Sequence, residues 1–197
     1  RLSLNDTLWI LDSAEFTAYT QDGANEQLTS ESRSSYSGPQ TRTRYSEYDH
    51  NAFGYTGQAT ISGKLGISDH VISVGVDYSE DTYETMRTGA TFNAAGVSLP
   101  EYSAFPTRDF PTTDITETGV FLQDEISFLD GKLRVTPAFR YDEYDAKVSP
   151  DVVWVAGHAN EALPAEFSDS DTTASLSAVY RVSDAVRLYA RYGQGFR

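Results

Sequence analysis

The chain has 197 residues, with 29 acidic and 15 basic side chains and a formal net charge of −14. Binding that tracks nucleic-acid phosphates needs a basic face, so this charge balance disfavours a nucleic-acid partner. Cysteine is absent, which excludes disulfides and thiolate metal sites. The sequence contains no run of 18 or more apolar residues, the length that a transmembrane helix needs.

The N-terminal part of the chain is the least regular. Residues 1–12 are typical of the end of a strand followed by a turn, and residues 14–21 alternate apolar and polar side chains. Polar residues then dominate until a strand near Phe53. We predict an ascending strand, a loop around Tyr36–Gln40 and a descending strand.

The next hairpin is predicted around the turn residues 66–69, read as a four-residue loop. This register places Ile61 opposite Val74 and Gly57 opposite Tyr78. One face of the pair is then apolar, and the glycine lies where an aromatic neighbour can cover it.

The clearest hairpin is centred on the Asp-Gly pair at 130–131. Both central residues of a type I′ turn need positive φ, and Asp-Gly between alternating runs is a strong signal for it. Pairing outward places Leu122 opposite Phe139 and makes one face apolar, except for Asp124 opposite Pro137. Globular strands average about 5–6 residues, whereas a tilted membrane strand needs about 9–11, and these strands fit the second class.

A third hairpin is predicted at 183–185, with Val182 opposite Val186 and Leu176 opposite Tyr192. Like the other two, it joins strands with one apolar and one polar face. Aromatic residues make up 13% of the chain, and on such strands they are suited to form girdles at a membrane interface.

Long polar segments at 89–112 and 147–170 separate these hairpins. Short turns at one end and long loops at the other are typical of bacterial outer-membrane barrels. We therefore predict that residues 1–197 form an all-β, antiparallel transmembrane β-barrel segment of about seven strands. In this interpretation the short turns are periplasmic and the long loops extracellular.

Four segments resemble the TonB-dependent outer-membrane receptors, and more narrowly their haem and haemoglobin branch. They are "VISVGVDYSEDTYET" (71–85), "TGVFLQDEISF" (118–128), "GKLRVTPAFRYD" (131–142) and "LYARYGQGFR" (188–197). The resemblance implies a stretch of a barrel of roughly 22 strands, with the plug domain and the remaining strands outside this chain.

The resemblance also implies a function. Such receptors lie in the bacterial outer membrane and are energised by the TonB-ExbB-ExbD complex. They import haem, in some cases extracted from a haem protein, so haem or a ferric chelate is the transported ligand and no cofactor is permanently bound. Phe196 and Arg197 match the first half of the branch's Phe-Arg-Ala-Pro box. The haem-ligating histidine of the family is expected after Arg197.

Neutral imidazole is the usual protein ligand of haem iron, so the three histidines are candidate sites. His158 lies in a long loop beside Trp154, whose ring is suited to shelter a porphyrin, and His50 lies near the top of a descending strand. We expect haem contact from His158, His50 and Trp154. The alternative for each is a solvent-exposed side chain without a ligand. His70 is interpreted as a turn residue.

Other polar clusters have simpler explanations than chemistry. The acidic residues Glu166, Asp169 and Asp171 lack EF-hand spacing, so we expect a solvated loop and no metal. Glu143 and Asp145 share one strand face, as expected for a polar lumen wall. No GxSxG, HExxH, P-loop or GxGxxG motif is present, so no catalytic residue and no enzyme activity are predicted.

The loop aromatics are candidates for a protein-docking surface, or for packing against each other. They are Tyr102, Phe105, Phe110 and Trp154. The first alternative to haem import is a ferric-siderophore receptor of the same architecture. A second is a non-transporting barrel or adhesin, and a soluble all-β sandwich is the third.

Overall fold

The computed structural model describes residues 2–4, 11–35, 38–101 and 105–195, which form one antiparallel sheet and one short helix. The strands are β1 (Leu2–Leu4), β2 (Leu11–Ser35), β3 (Gly38–Leu65), β4 (Ser68–Asn93), β5 (Ser98–Leu99), β6 (Thr112–Phe128), β7 (Leu133–Ser149), β8 (Phe167–Arg181) and β9 (Arg187–Gly193), and α1 is Val152–Gly157. Their order in the sheet is β1-β2-β3-β4-β6-β7-β8-β9, with β5 paired to β4. The predicted all-β antiparallel fold is confirmed.

The sheet is a single open layer without a conventional core. Among the described residues, Ala52, Pro111 and Trp154 are the buried apolar side chains. A two-layer sandwich would bury the facing sides of both sheets. The sandwich alternative is therefore wrong for the part of the chain that the structure describes.

The two faces of the sheet differ in polarity, as the alternation predicts. One face, here called the apolar belt, carries large apolar side chains that remain substantially exposed. They include Val74, Val76, Val120, Leu122, Phe139, Leu176, Tyr180 and Leu188. The opposite face, here called the polar face, carries mostly polar and charged side chains. The strands β6 and β7, at 17 residues each, exceed the about 9–11 residues that a membrane requires.

Aromatic rings mark the upper edge of the apolar belt, on the side of the long loops. The rings of Tyr55 and Tyr78 stack with centroids 5.2 Å apart, and Phe53 lies 6.4 Å from Tyr55. The Tyr78 hydroxyl donates to Glu80 at 3.3 Å. Because aromatic residues concentrate where hydrocarbon meets water, this edge has the composition of a membrane interface.

The hairpin at 130–131 is confirmed. Asp130 and Gly131 have φ values of 53° and 76°, and the Lys132 amide donates to the Leu129 carbonyl at 3.2 Å. All four predicted apolar pairs of this hairpin are present, from Phe128 opposite Leu133 to Val120 opposite Tyr141, with Leu122 opposite Phe139 and Ile126 opposite Val135 between them. The hairpin at 183–185 is also confirmed, with Leu176 opposite Tyr192.

The predicted register of the hairpin at 66–69 is wrong by two residues. Leu65 pairs with Ser68, so the loop contains only residues 66–67, and Ile61 lies opposite Ile72. Gly66 has a φ of +62°, as the first central position of a type II′ turn requires. The Ser68 hydroxyl donates to the Leu65 carbonyl at 2.9 Å and helps to close the turn.

The corrected register also changes the surroundings of Gly57 and His70. Gly57 lies opposite Val76 rather than Tyr78, and the ring of Phe16 on β2 covers it from the other side. His70 lies within β4 rather than in the turn. A shift of two residues returns every side chain to its own face, so the face assignment survives.

The predicted ascending and descending strands are confirmed but extend much further than their alternation indicated. They are β2 and β3, which remain paired up to Ser35 opposite Gly38. Residues 38–40 of the predicted loop therefore belong to β3, and residues 36–37 lie outside the described residues. β1 is confirmed as a strand end paired with β2, whereas residues 5–10 lie outside the described part.

The two long loops are shorter than predicted because their flanking strands continue into them. β4 ends at Asn93 and β6 begins at Thr112. β7 ends at Ser149 and β8 begins at Phe167. The second loop contains α1. Within the described residues, no helix has the length and apolarity needed to cross a membrane.

Candidate ligand-binding site

The candidate site lies on the polar face, where β2, β3 and β4 continue beyond the aromatic edge of the apolar belt. His50 is three residues beyond Phe53 along β3, a rise of about 10 Å. Arg44 is six residues further, about 20 Å more. The side chains at these heights are therefore set well away from the short turns.

An aromatic cluster occupies the lower part of this region. The His50 and Tyr83 rings are parallel, with centroids 4.6 Å apart and an interplanar angle of 3°. Tyr48 lies 6.3 Å from Tyr83 and 6.4 Å from Phe110. Nε2 of His50 is 2.7 Å from Oδ1 of Asp81. Because this nitrogen already has a carboxylate partner, the structure does not offer it as a ligand for iron.

A cavity of about 430 Å³, here called the arginine pocket, lies higher on the same face. Its charged lining residues are Arg33, Arg42, Arg44 and Glu101. Arg42 and Arg44 alternate on β3, so both side chains point to the polar face, and Arg33 projects from β2 beside them. Three guanidinium groups therefore converge in a protein whose net charge is −14.

Arg44 is held by a carboxylate and an aromatic ring from the first long loop. Its Nη1 and Nη2 lie 3.3 and 2.5 Å from the two oxygens of Glu101. The Phe105 ring centroid is 4.9 Å from Arg44 Cζ, within the range of a cation–π contact. Arg44 Nη1 also donates to the Thr43 carbonyl at 2.8 Å.

The surroundings of Glu101 favour its ionised form. Burial alone raises the pKa of this carboxyl, but the hydrogen bonds and charge of Arg44 and the charge of Arg42 outweigh burial. The net result is a pKa below its usual range. The loop carboxylate therefore stays charged against the arginines throughout the neutral range.

Part of the hydrogen-bonding capacity of the arginine pocket is unused. The Nε atoms of Arg42 and Arg44 are buried and have no hydrogen-bond partner. The ion pair of Arg42 with Glu31 is long, with 3.5 Å between Arg42 Nη1 and the carboxylate. Buried donors without partners are uncommon in folded proteins, so these two mark a place suited to an additional acceptor.

His158 and Trp154 are neighbours, as the sequence predicts, with Trp154 inside the short helix α1 and His158 at its C-terminal cap. Their rings stack with centroids 4.8 Å apart and an interplanar angle of 12°. Nδ1 of His158 is 2.9 Å from the Trp154 carbonyl oxygen. A carbonyl only accepts hydrogen bonds, so Nδ1 carries a proton, and in the neutral imidazole Nε2 is the acceptor nitrogen.

Arg108 joins the two long loops to β4. Its Nε donates to Asp151 at 2.9 Å and its Nη1 donates to the Thr85 carbonyl at 2.8 Å. Asp151 in turn caps α1 by accepting from the Trp154 amide at 2.8 Å. The position of the Trp154–His158 pair therefore depends on this ion pair.

The described loop aromatics do not pack against each other, and their use as a docking surface stays a prediction. Trp154 is only 5% exposed, Phe105 covers Arg44, and Phe110 packs on Tyr48. Tyr102 lies outside the described residues. Each described ring instead has a separate partner on a strand or a neighbouring loop residue.

The remaining predictions concern the family motif at the end of the chain and possible metal ligands. Phe196 and Arg197 lie outside the described residues. Among those described, no group of three or more His, Asp or Glu side chains is arranged to hold a metal ion. Sequence reasoning missed Arg42, Arg44 and Glu101, although the alternating "TRTR" at 41–44 is a visible sign that two arginines share a strand face.

A family model described as "TonB dependent receptor-like, beta-barrel" matches residues 1–197. The chain belongs to this family. No curated protein matches its sequence. The haem branch is not confirmed by any of these comparisons.

Two solved structures are similar in fold. The unliganded ferric citrate transporter FecA has a TM-score of 0.52 and 18% identity over 91% of this chain and 26% of that one. BauA, the ferric preacinetobactin receptor from Acinetobacter baumannii, has a TM-score of 0.59 and 16% identity over 94% of this chain and 28% of that one. The chain thus spans about a quarter of the length of either protein.

Proposed function

We propose that this chain forms part of the barrel wall of an outer-membrane receptor that imports a negatively charged ferric chelate. The observation that carries the proposal is the arginine pocket, in which Arg33, Arg42 and Arg44 converge on the polar face. Planar guanidinium groups bind carboxylates through paired hydrogen bonds. A protein with a large negative net charge has few other groups that attract carboxylates.

The shape and polarity of the sheet support a place in the outer membrane. The short turns that follow β3, β6 and β8 all lie at one end, and the two long loops lie at the other. In bacterial barrels the short turns are periplasmic and the long loops extracellular. The arginine pocket then faces the outside of the cell, where a chelate arrives.

Membership of the family suggests the energy source for transport and the partners of the receptor. A TonB-dependent receptor is energised by TonB-ExbB-ExbD through a plug domain, and outer-membrane lipid surrounds its apolar belt. The named structural neighbours transport ferric citrate in one case and bind ferric preacinetobactin in the other. These neighbours favour an iron chelate as the cargo of this receptor too.

Haem import is the second candidate, and one observation favours it. His158 donates through Nδ1 to a backbone carbonyl, the arrangement commonly found in metal-ligating histidines, and leaves Nε2 available. Its stacking on Trp154 adds a flat apolar surface. His50 is the weaker candidate, because Asp81 occupies its Nε2.

A binding experiment on the complete receptor in detergent separates the two cargoes. Isothermal titration with ferric citrate and with a neutral ferric trihydroxamate tests the charge preference, and a hemin titration followed at the Soret band tests haem. We expect Arg42→Gln combined with Arg44→Gln to weaken ferric citrate binding at least about tenfold, since it removes paired bonds to a charged acceptor.

The matched control is Arg191→Gln, which removes an exposed arginine of the polar face on β9, far from the pocket. This variant is expected to bind ferric citrate like the wild type. Saturable hemin binding that is lost in His158→Ala, together with no effect of the Arg42 and Arg44 substitutions, would assign the receptor to haem instead.

A further inference from the structure

The carboxylate of Glu101 occupies the site on Arg44 that a carboxylate ligand would use. Both oxygens contact the two terminal guanidinium nitrogens of Arg44, the paired geometry by which arginine recognises carboxylates. The side chains of Arg44 and Glu101 are only 18% and 19% exposed. Water therefore competes weakly for this contact.

The contact also holds the first long loop against the sheet. Glu101 follows β5, which pairs with β4 through only two residue pairs, Thr91 with Leu99 and Phe92 with Ser98. So short a strand is weakly held by its own ladder. The bonds to Arg44 add to the few backbone contacts that hold this segment against β4.

We propose that Glu101 is an internal competitor for Arg44, which an incoming carboxylate chelate must displace to occupy the arginine pocket. The inference rests on the proposed function and adds a selectivity device to it. Ligands that present several carboxylates replace both bonds of Glu101 and also reach Arg42 and Arg33. Ligands with a single weak acceptor do not.

Competition of this kind lowers the apparent affinity of the receptor. A ligand that binds only when Glu101 has left Arg44 is weakened by the fraction of molecules in that open state. Removing the negative charge of Glu101 should therefore tighten chelate binding, although glutamine keeps only one of the two oxygen acceptors that Arg44 contacts. A purely structural role for Glu101 predicts the opposite, because loosening the pocket would weaken binding.

The test uses the complete receptor in detergent, ferric citrate as the probe and Glu101→Gln as the main variant. The matched control is Glu166→Gln, which removes the same charge from an exposed position before β8. We expect Glu101→Gln to bind ferric citrate at least about tenfold more tightly and Glu166→Gln to match the wild type. The gain should disappear in the Glu101→Gln, Arg44→Gln double variant.

Hydrogen exchange provides a readout that does not depend on the cargo. The amides of β5 should exchange faster in Glu101→Gln than in either the wild type or Glu166→Gln, because the segment loses its paired ionic contact with Arg44. Unchanged or weaker ferric citrate binding in Glu101→Gln would overturn the inference, as would unchanged exchange in β5.

The outcomes also distinguish this inference from the proposed function. If wild-type binding of ferric citrate depends on Arg42 and Arg44 but Glu101→Gln has no effect, the proposed function stands and internal competition is wrong. If neither the wild type nor Glu101→Gln binds ferric citrate, the anionic-chelate function fails, and the inference, which rests on it, fails with it.

Discussion

His70 and Asp124 form an ion pair on the apolar face of the sheet, with Nδ1 of the imidazole 2.7 Å from Oδ2 of the carboxylate. The Ser68 hydroxyl donates its proton to the Leu65 carbonyl, so its oxygen accepts from Nε2 of His70 at 2.9 Å. Nδ1 and Asp124 must then share a further proton, because two lone pairs do not approach so closely. His70 thereby gives one oxygen of this carboxylate a hydrogen-bond partner among apolar side chains, where an unpaired acid is costly.

Asp124→Ala is predicted to destabilise the barrel by about 1–3 kcal/mol, because it leaves His70 without its partner in a partly buried place. The paired replacement His70→Phe with Asp124→Leu should restore most of that loss. Thermal unfolding of the complete receptor in detergent measures both. Equal stability of Asp124→Ala and the wild type would show that the pair contributes nothing.

Leu122 and Gln123 test the assignment of the two faces, since they are adjacent on β6 and point to opposite sides. Leu122→Arg should cost about 2–4 kcal/mol if its side chain meets lipid near the midplane. Gln123→Arg, on the polar face, should cost much less. Unfolding in lipid vesicles gives both values, and similar costs would contradict the face assignment.

Gly119 leaves room for an ion pair that spans three strands. A Cβ at this position would collide with the guanidinium of Arg140 and the carboxylate of Asp77, which are paired at 3.0 Å. Gly119→Ala should therefore weaken this bridge and cost about 1 kcal/mol, a modest value because both groups are partly exposed. Gly63→Ala is the control, since an added Cβ there meets nothing within 4 Å. A cost no larger than that of the control would show that the bridge adjusts freely.

Asp151 makes the packing of the second loop sensitive to acid. The hydrogen bond from the Trp154 amide, with the bond and charge of Arg108, lowers the pKa of this carboxyl against the opposing effect of burial. Because its pKa is lower in the folded state, Asp151 stabilises the loop at pH values above the usual carboxyl pKa. That contribution is lost as the pH falls through the lowered value.

Trp154 fluorescence measures this transition as the difference between the emission of the complete receptor and that of its Trp154→Phe variant. We expect a red shift on acidification, as Trp154 becomes exposed. In Arg108→Gln the shift should begin at a higher pH, because one group that lowers the pKa of Asp151 is gone. An identical pH profile in the two proteins would rule out this role for Arg108.

Turn chemistry explains which hairpins were predictable. Asp130-Gly131 specifies its loop directly, and its register follows for the whole of β6 and β7. At 66–69 the alternation fits two registers equally well, because a shift of two residues keeps each side chain on its face. Only the left-handed φ of Gly66 distinguishes them.

The polar upper parts of β2 and β3 were not predictable from the alternation of apolar and polar residues. Their strands continue because each backbone finds a neighbour to pair with, and such pairing does not require apolar side chains. The same limitation shortened the predicted β4, β6, β7 and β8 at the loop ends. Outside a membrane both faces of a strand meet water, so the hydrophobic signal that marks a strand disappears.

The sequence by itself determined the period of two, the apolar belt and the two best-specified turns, since these depend on residues close together in the chain. The tertiary structure alone decided which distant residues meet. Arg44 and Glu101 are 57 positions apart and His70 and Asp124 are 54 apart. Such contacts arise when strand register and returning loops bring separate segments together, and no local pattern encodes that meeting.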